Sequence, residues 1–164
     1  MEMDTDGMTI VYPNHILNNN IYNYIQRLSP QQTSTQPIVL YNTPSPPAHG
    51  FEFYTLVMHD PDAVGGNRVH WLVINNDDTV LPYKGPRPPP GSGIHRYIFL
   101  LIGHRVPIRA PRGLKRKITM TQLWETLGIS PSSPSSPSSP SSPSSPSSHP
   151  ILSSRWFWSG NELT

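Results

Sequence analysis

Hydrophobic positions gather in short runs along most of the chain. "PIVLY" (Pro37 to Tyr41), "FEFYTLVMH" (Phe51 to His59), "VHWLVINN" (Val69 to Asn76) and "HRYIFLLIG" (His95 to Gly103) are rich in branched and aromatic residues and bounded by Pro, Gly, Asn or Asp. That pattern predicts β-strands. The last three are apolar on both faces over much of their length, as strands covered on both sides are. Two stretches follow the helical period instead. In "NHILNNNIYNYIQRLS", Leu17, Ile21, Tyr24, Ile25 and Leu28 fall on one face, with Asn14 as N-cap. In "TMTQLWETLG", Thr119 and Gln122 form a capping box, Met120, Leu123, Trp124 and Leu127 make the apolar stripe, and Gly128 ends it. The expected fold class is mainly β, with a few peripheral helices.

The low-complexity tract changes this picture in one place. Of 164 residues 21 are proline, and many sit in "SPSSPSSPSSPSSPSSPSSHP", Ser130 to Pro150, a strict three-residue repeat with no apolar residue to bury. It is expected to be an extended, disordered loop. The sequence after it, "ILSSRWFWSGNELT", is apolar and aromatic again, so residues 130–150 read as an insertion between the last helix and a closing strand. Residues 1–164 then make a single domain of ordinary size.

Charge and cysteine content exclude rather than assign. The net charge is +2 with no cysteine, so there is no disulfide framework, thiol nucleophile or thiolate metal site. A reducing, cytoplasmic setting is expected. No apolar run approaches the roughly 20 residues of a spanning helix, and the opening "MEMDTDGMTI" is acidic where a signal peptide is basic. Positive charge is concentrated in "RVPIRAPRGLKRK", from Arg105 to Lys117. Such a run can meet phosphoinositide headgroups, nucleic acid or an acidic protein, or can simply be solvated. It has no interleaved aromatics for base stacking, which counts against nucleic acid.

The stretch "HDPDAVGGNRVHWLVINN" holds the candidate chemistry. Asp60 and Asp62 stand in a turn that Pro61 favours and that an aspartate can close on its own backbone. His70 opens the next strand. Taken singly, each has a plain structural reading. A third element alters that: "YKGPRPPPGSGIHRY" is a Pro- and Gly-rich loop running directly into a strand. Its Gly91, Ser92 and Gly93 can present bare N–H groups, and His95 and Tyr97, two apart, share a strand face. The loop lacks the Gly-Lys-Ser/Thr ending of a nucleotide-binding loop and leads into a strand. "PRPPP" is also compatible with a polyproline ligand for another domain.

In this order, "YTLVMHDPDA", "HWLVIN" and "YKGPRPPPGSGIHRYIF" resemble the motifs of the phosphatidylethanolamine-binding protein family, which includes the Raf kinase inhibitor protein and plant flowering regulators. The resemblance is strong from Phe51 to Ile102 and weaker through "APRGLKRKITMTQLWETLGI" to the end. It implies an antiparallel Greek-key β-sandwich with a pocket for phosphate-bearing groups and no cofactor. Carried over by motif, the ligand-binding set is Asp60, Asp62, His70, Pro86, Pro88, Pro89, His95 and Tyr97, with Gly91 and Arg87 added from the loop. Arg87 stands where many relatives have a small or neutral residue, and either adds a phosphate donor or points to solvent. The chain also departs from the family at Val64, where a proline is usual, in the short connection from Asn76 to Tyr83, and in the Ser-Pro tract.

The resemblance implies a non-enzymatic binding protein whose ligand is a phospholipid headgroup or a phosphorylated peptide. Its expected partners are a protein kinase or another signalling protein, with peripheral membrane contact. Two other classes stay open. One is a hydrolase, for which Asp and His supply acid and base, or a protease-inhibitor-like activity; no "GxSxG" elbow accompanies them. The other is a scaffold acting through the Ser-Pro tract, in which each second serine precedes a proline and is a candidate for phosphorylation.

Overall fold

The structure is a computed structural model and describes residues 7–18, 26–42, 50–132 and 148–161. Its strands are β1 (Gly7–Tyr12), β2 (His15–Leu17), β3 (Ile38–Asn42), β4 (Phe53–Asp60), β5 (Arg68–Ile74), β6 (Asp78–Leu81), β7 (His95–His104), β8 (Ser130–Ser132) and β9 (Ser148–Ser159), with one helix, α1 (Met120–Leu127). They form a three-stranded sheet, β2-β1-β3, and a six-stranded sheet, β6-β5-β4-β7-β9-β8. In the larger sheet β4, β5 and β6 follow one another and β7 returns beside β4, which is the Greek-key order. The protein is mainly β.

The expected strands β4, β5 and β7 form because the large sheet has two layers to bury against. On one face of the large sheet Leu56, Met58, Trp71, Phe99 and Phe157 meet Met8, Ile10, Tyr12 and Leu17 of the small sheet. On the other, Val57, Leu72, Ile74 and Ile102 meet Leu123 and Leu127 of α1. Both capping-box bonds at Thr119 and Gln122 are present, and Gly128 takes the left-handed conformation that ends the helix. No described helix is long and apolar enough to cross a membrane.

The helix expected over 14–29 is not what its described parts form. His15–Leu17 pairs antiparallel with β1, and Arg27 bridges to Trp158 at the far edge of the large sheet. Residues 19–25 lie outside the described residues. The pairing with Val11 and Tyr12 satisfies backbone groups while Leu17 enters the core, so tertiary pairing overrides the local period. Of the small sheet only β3 was among the expected elements; β1 was not, although "GMTIVY" alternates and buries Met8, Ile10 and Tyr12. The short connection after β5 is a three-residue loop into β6, with Asn75 and Asn76 both at positive φ. Asparagine tolerates that region, which makes the tight turn attainable.

Both ends of the Ser-Pro stretch are strand rather than loop. Ser130–Ser132 pairs in parallel with Ser148–Pro150, and β9 continues as a long strand beside β7. Proline is tolerated in such a short edge pairing because one side of an edge strand need not donate. The interior of the repeat, 133–147, lies outside the described residues.

Candidate functional site

The open end of the β4-β5-β7 face is where the motif residues meet. β4 and β5 change register between Met58 and His59: Met58 stands opposite Trp71, and His59 opposite Val69. His70 is therefore the extra residue of a β-bulge, which re-aims a side chain that an unbroken strand would send elsewhere. Its ring is fixed by the loop after β6, since Lys84 N–H donates to His70 O and His70 Nδ1 donates to Lys84 O at 2.8 Å. Arg116, from the segment before α1, donates to the carbonyls of His70 and Pro82.

Asp60 ends β4 and is 2% exposed. Its Oδ1 accepts from Asp62 N–H at 2.8 Å and closes the turn. Its Oδ2 faces His95 Nδ1 at 2.8 Å, and the Tyr97 hydroxyl donates to the same carboxylate. Burial, and then the negative charge of Asp60, push the Tyr97 phenol well above its usual pKa, so it stays a donor. His95 Nε2 lies 3.0 Å from Ser92 Oγ, whose hydroxyl donates to Pro89 O at 2.7 Å. Both nitrogens of His95 and the hydroxyl of Tyr97 are thus engaged inside the protein.

Asp62 turns away from this cluster. Its carboxylate receives Arg96 Nε, the second guanidinium nitrogen and the Arg96 backbone N–H, all at 2.9 Å, and the hydrogen bonds of Arg96 hold its pKa below the usual carboxylate range. It braces the turn against β7.

A cleft of about 500 Å³ opens over these groups, lined by Asp60, His70, His95, Tyr97 and the loop residues Arg87, Pro88 and Pro89. Of the sequence candidates, Asp62, Pro86 and Gly91 do not line it. Pro86 is buried beneath the loop, and Gly91 gives the loop a positive φ of 77° at an exposed position. Pro88 is held from outside by Asn161, whose amide donates to its carbonyl at 2.7 Å.

Sequence reasoning missed Arg68, Lys84 and Arg116 as lining residues. Arg116 had been part of a basic run on composition alone. What selects it is its backbone: Val69 N–H donates to Arg116 O, and Arg68 and Lys117 form an isolated antiparallel bridge. No spacing rule connects two segments so far apart.

His70 sets the chemistry of the cleft. Burial lowers its pKa; hydrogen bonding to Lys84 O and the charge of Asp60 oppose this, while Arg116 and Arg68 add to it. The neutral ring carries its proton on Nδ1, toward Lys84 O. Nε2 has no hydrogen-bond partner among the described residues and is an acceptor until it is protonated.

Residues 75–128 match the family model described as phosphatidylethanolamine-binding protein. The match takes in the Pro-rich loop, His95 and Tyr97 and begins after Asp60 and His70. The chain is 33% identical over 107 residues to the 26 kDa secreted antigen of Toxocara canis, covering 57% of this chain and 39% of that protein. It is 32% identical over 111 residues to Protein SELF-PRUNING of Solanum lycopersicum, covering 57% of this chain and 56% of that protein. It is 35% identical over 82 residues to Protein CENTRORADIALIS of Antirrhinum majus, covering 40% of this chain and 44% of that protein. The chain therefore spans about two fifths to just over half the length of these relatives. Among solved structures it is similar to a carboxypeptidase Y inhibitor complexed with its cognate proteinase, at TM-score 0.61 and 16% identity, covering 94% of this chain and 83% of that one. It is also similar to a phosphatidylethanolamine-binding protein from Plasmodium vivax, at TM-score 0.59 and 19% identity, covering 93% of this chain and 83% of that one. At such identities the likeness concerns the fold.

Proposed function

We propose, for a chain that is a relative of the phosphatidylethanolamine-binding proteins, that it is a non-enzymatic binding protein whose cleft takes a phosphate-bearing group and that acts by modulating signalling partners. The observation that carries the binding reading is the cleft itself, a buried Asp60–His95–Tyr97 floor beneath His70 Nε2, with cationic side chains at its mouth. Such a site offers an anion fixed geometry and little reorganisation. The ligand is a phospholipid headgroup or a phosphorylated peptide, and a kinase or similar partner is part of the same proposal. The regulatory half rests on the relatives alone. The absence of cysteine fits a reducing compartment such as the cytoplasm; the secreted antigen among the relatives makes that assignment a matter for fractionation of the native source.

Sulfate tests the binding reading without the complication of a titrating ligand. It brings two charges and no proton, so Nε2 of His70 must be protonated to donate to it. The groups facing His70 are Asp60, which favours that proton, and Arg68 and Arg116, which oppose it. Binding therefore takes up a proton. Titration by calorimetry should show affinity rising as pH falls from 8 to 6, by up to tenfold per unit, the limit for one linked proton. In His70→Gln the pH dependence should flatten and the affinity fall. Absence of saturable binding of either sulfate or phosphate to the folded wild type would sink the reading.

One observation favours a second reading. Ser92, His95 and Asp60 stand in the hydrogen-bonded order of a hydrolase relay, 3.0 and 2.8 Å apart. In this structure the serine hydroxyl is directed to Pro89 O and Ser92 does not line the cleft. A hydrolase reading predicts ester turnover, measured with p-nitrophenyl acetate, that Ser92→Ala abolishes; the binding reading predicts equal background rates for both proteins.

A further inference from the structure

The charge balance of the cleft points past a single phosphate. The carboxylate in its lining, Asp60, is already hydrogen-bonded to His95, and Asp62, outside the lining, is clamped by Arg96. Four cationic side chains nevertheless line the cavity, Arg68, Lys84, Arg87 and Arg116. Among the described residues none of the four lies in a salt bridge with a carboxylate. Two of them are brought together by the backbone: Arg68 pairs across from Lys117, and Val69 N–H donates to Arg116 O at 2.7 Å. Arg116 is not free to swing away, because three backbone carbonyls, of Val69, His70 and Pro82, receive its guanidinium at 3.4, 2.8 and 2.6 Å. Cations held side by side repel one another unless an anion lies between them.

Size gives the same direction. A cavity of about 500 Å³ lies within the range of roughly 300–1,000 Å³ that holds drug-sized ligands, and a lone phosphate would leave much of it to water. Resting on the binding reading above, we infer that the cleft is built for a ligand with two separated anionic groups, a diphosphate or bisphosphate ester. The first group lies in the throat under His70. The second lies at the mouth, between Arg68 and Arg116, where Arg68 is exposed and retains its donors. Lys84 and Arg87, both exposed, complete the cationic lining.

The test is calorimetry on the whole chain with orthophosphate and pyrophosphate at one pH and one ionic strength. Pyrophosphate is expected to bind at least tenfold more tightly. Arg68→Gln, an exposed change that spares the bonds of Arg116, should reduce that advantage to under threefold by weakening pyrophosphate more than orthophosphate. Arg109→Gln removes one charge from the basic run outside the cavity and should leave both ligands unchanged. Equal affinity for the two ligands, or equal losses for both in Arg68→Gln and Arg109→Gln, overturns the two-anion site while the phosphate reading stands. Failure of orthophosphate and pyrophosphate alike overturns both. A second arm compares soluble inositol bisphosphate with phosphatidylcholine vesicles carrying a bisphosphorylated inositol lipid. Binding to either upholds the site: tighter binding to vesicles assigns the lipid, and equal or tighter binding of the soluble headgroup assigns the free ester.

Discussion

Asp60→Ala is expected to lower the unfolding free energy by about 3–5 kcal/mol, measured by urea denaturation followed by circular dichroism. The carboxylate is 2% exposed and accepts from Asp62 N–H, His95 and Tyr97. Truncation leaves a buried imidazole and a buried phenol without their acceptor, and each orphaned group costs about 1–3 kcal/mol. It also releases the turn that Asp62 completes. The neighbouring carboxylate should behave differently. Asp62 and Arg96 are 31% and 43% exposed in their side chains, and a partly solvated pair of this kind contributes only about 0–1 kcal/mol. Asp62→Ala should therefore cost about 1 kcal/mol or less. Equal losses for the two variants would show that Asp60 is not the buried hub described here.

This contrast bears on what the sequence alone made legible. "DPD" announced a turn and paired two aspartates as though they did one job. The structure divides them, because β4 ends with Asp60 facing the inner layer while the next turn carries Asp62 around to Arg96 on β7. Periodicity located β3, β4, β5, β7 and α1 to within a residue or two, since burial on two faces or one stripe writes itself directly into residue type. It missed the bulge at His70, which is a property of pairing between strands and has no signature in either strand alone. It missed Arg116 for the same reason. The helix expected from Asn14 failed because an apolar spacing compatible with 3.6 residues per turn also occurs where short strands return to a sheet, and pairing decides between them.

Phe157→Ala is expected to cost about 3–5 kcal/mol and to lower the melting temperature by on the order of 10 °C, measured by thermal and urea denaturation. Phe157 is fully buried at a junction of both sheets. Its ring meets Tyr12 of the small sheet edge-on at 5.9 Å and stacks near Tyr97 at 5.5 Å, with Phe99 at 6.3 Å. No smaller neighbour can fill the void without moving Tyr97, and Tyr97 donates to Asp60 at the cleft floor. The same variant should therefore weaken the phosphate binding proposed above, even though residue 157 is absent from the lining. Trp156 beside it is 46% exposed, so Trp156→Ala should stay within about 1 kcal/mol of wild type. A large loss at Phe157 and a small one at Trp156 would establish β9 as a core strand although it follows the Ser-Pro stretch. Comparable small losses at both would mean that the chain beyond the repeat is a loosely attached edge, with the cleft organised by β4, β5 and β7 alone.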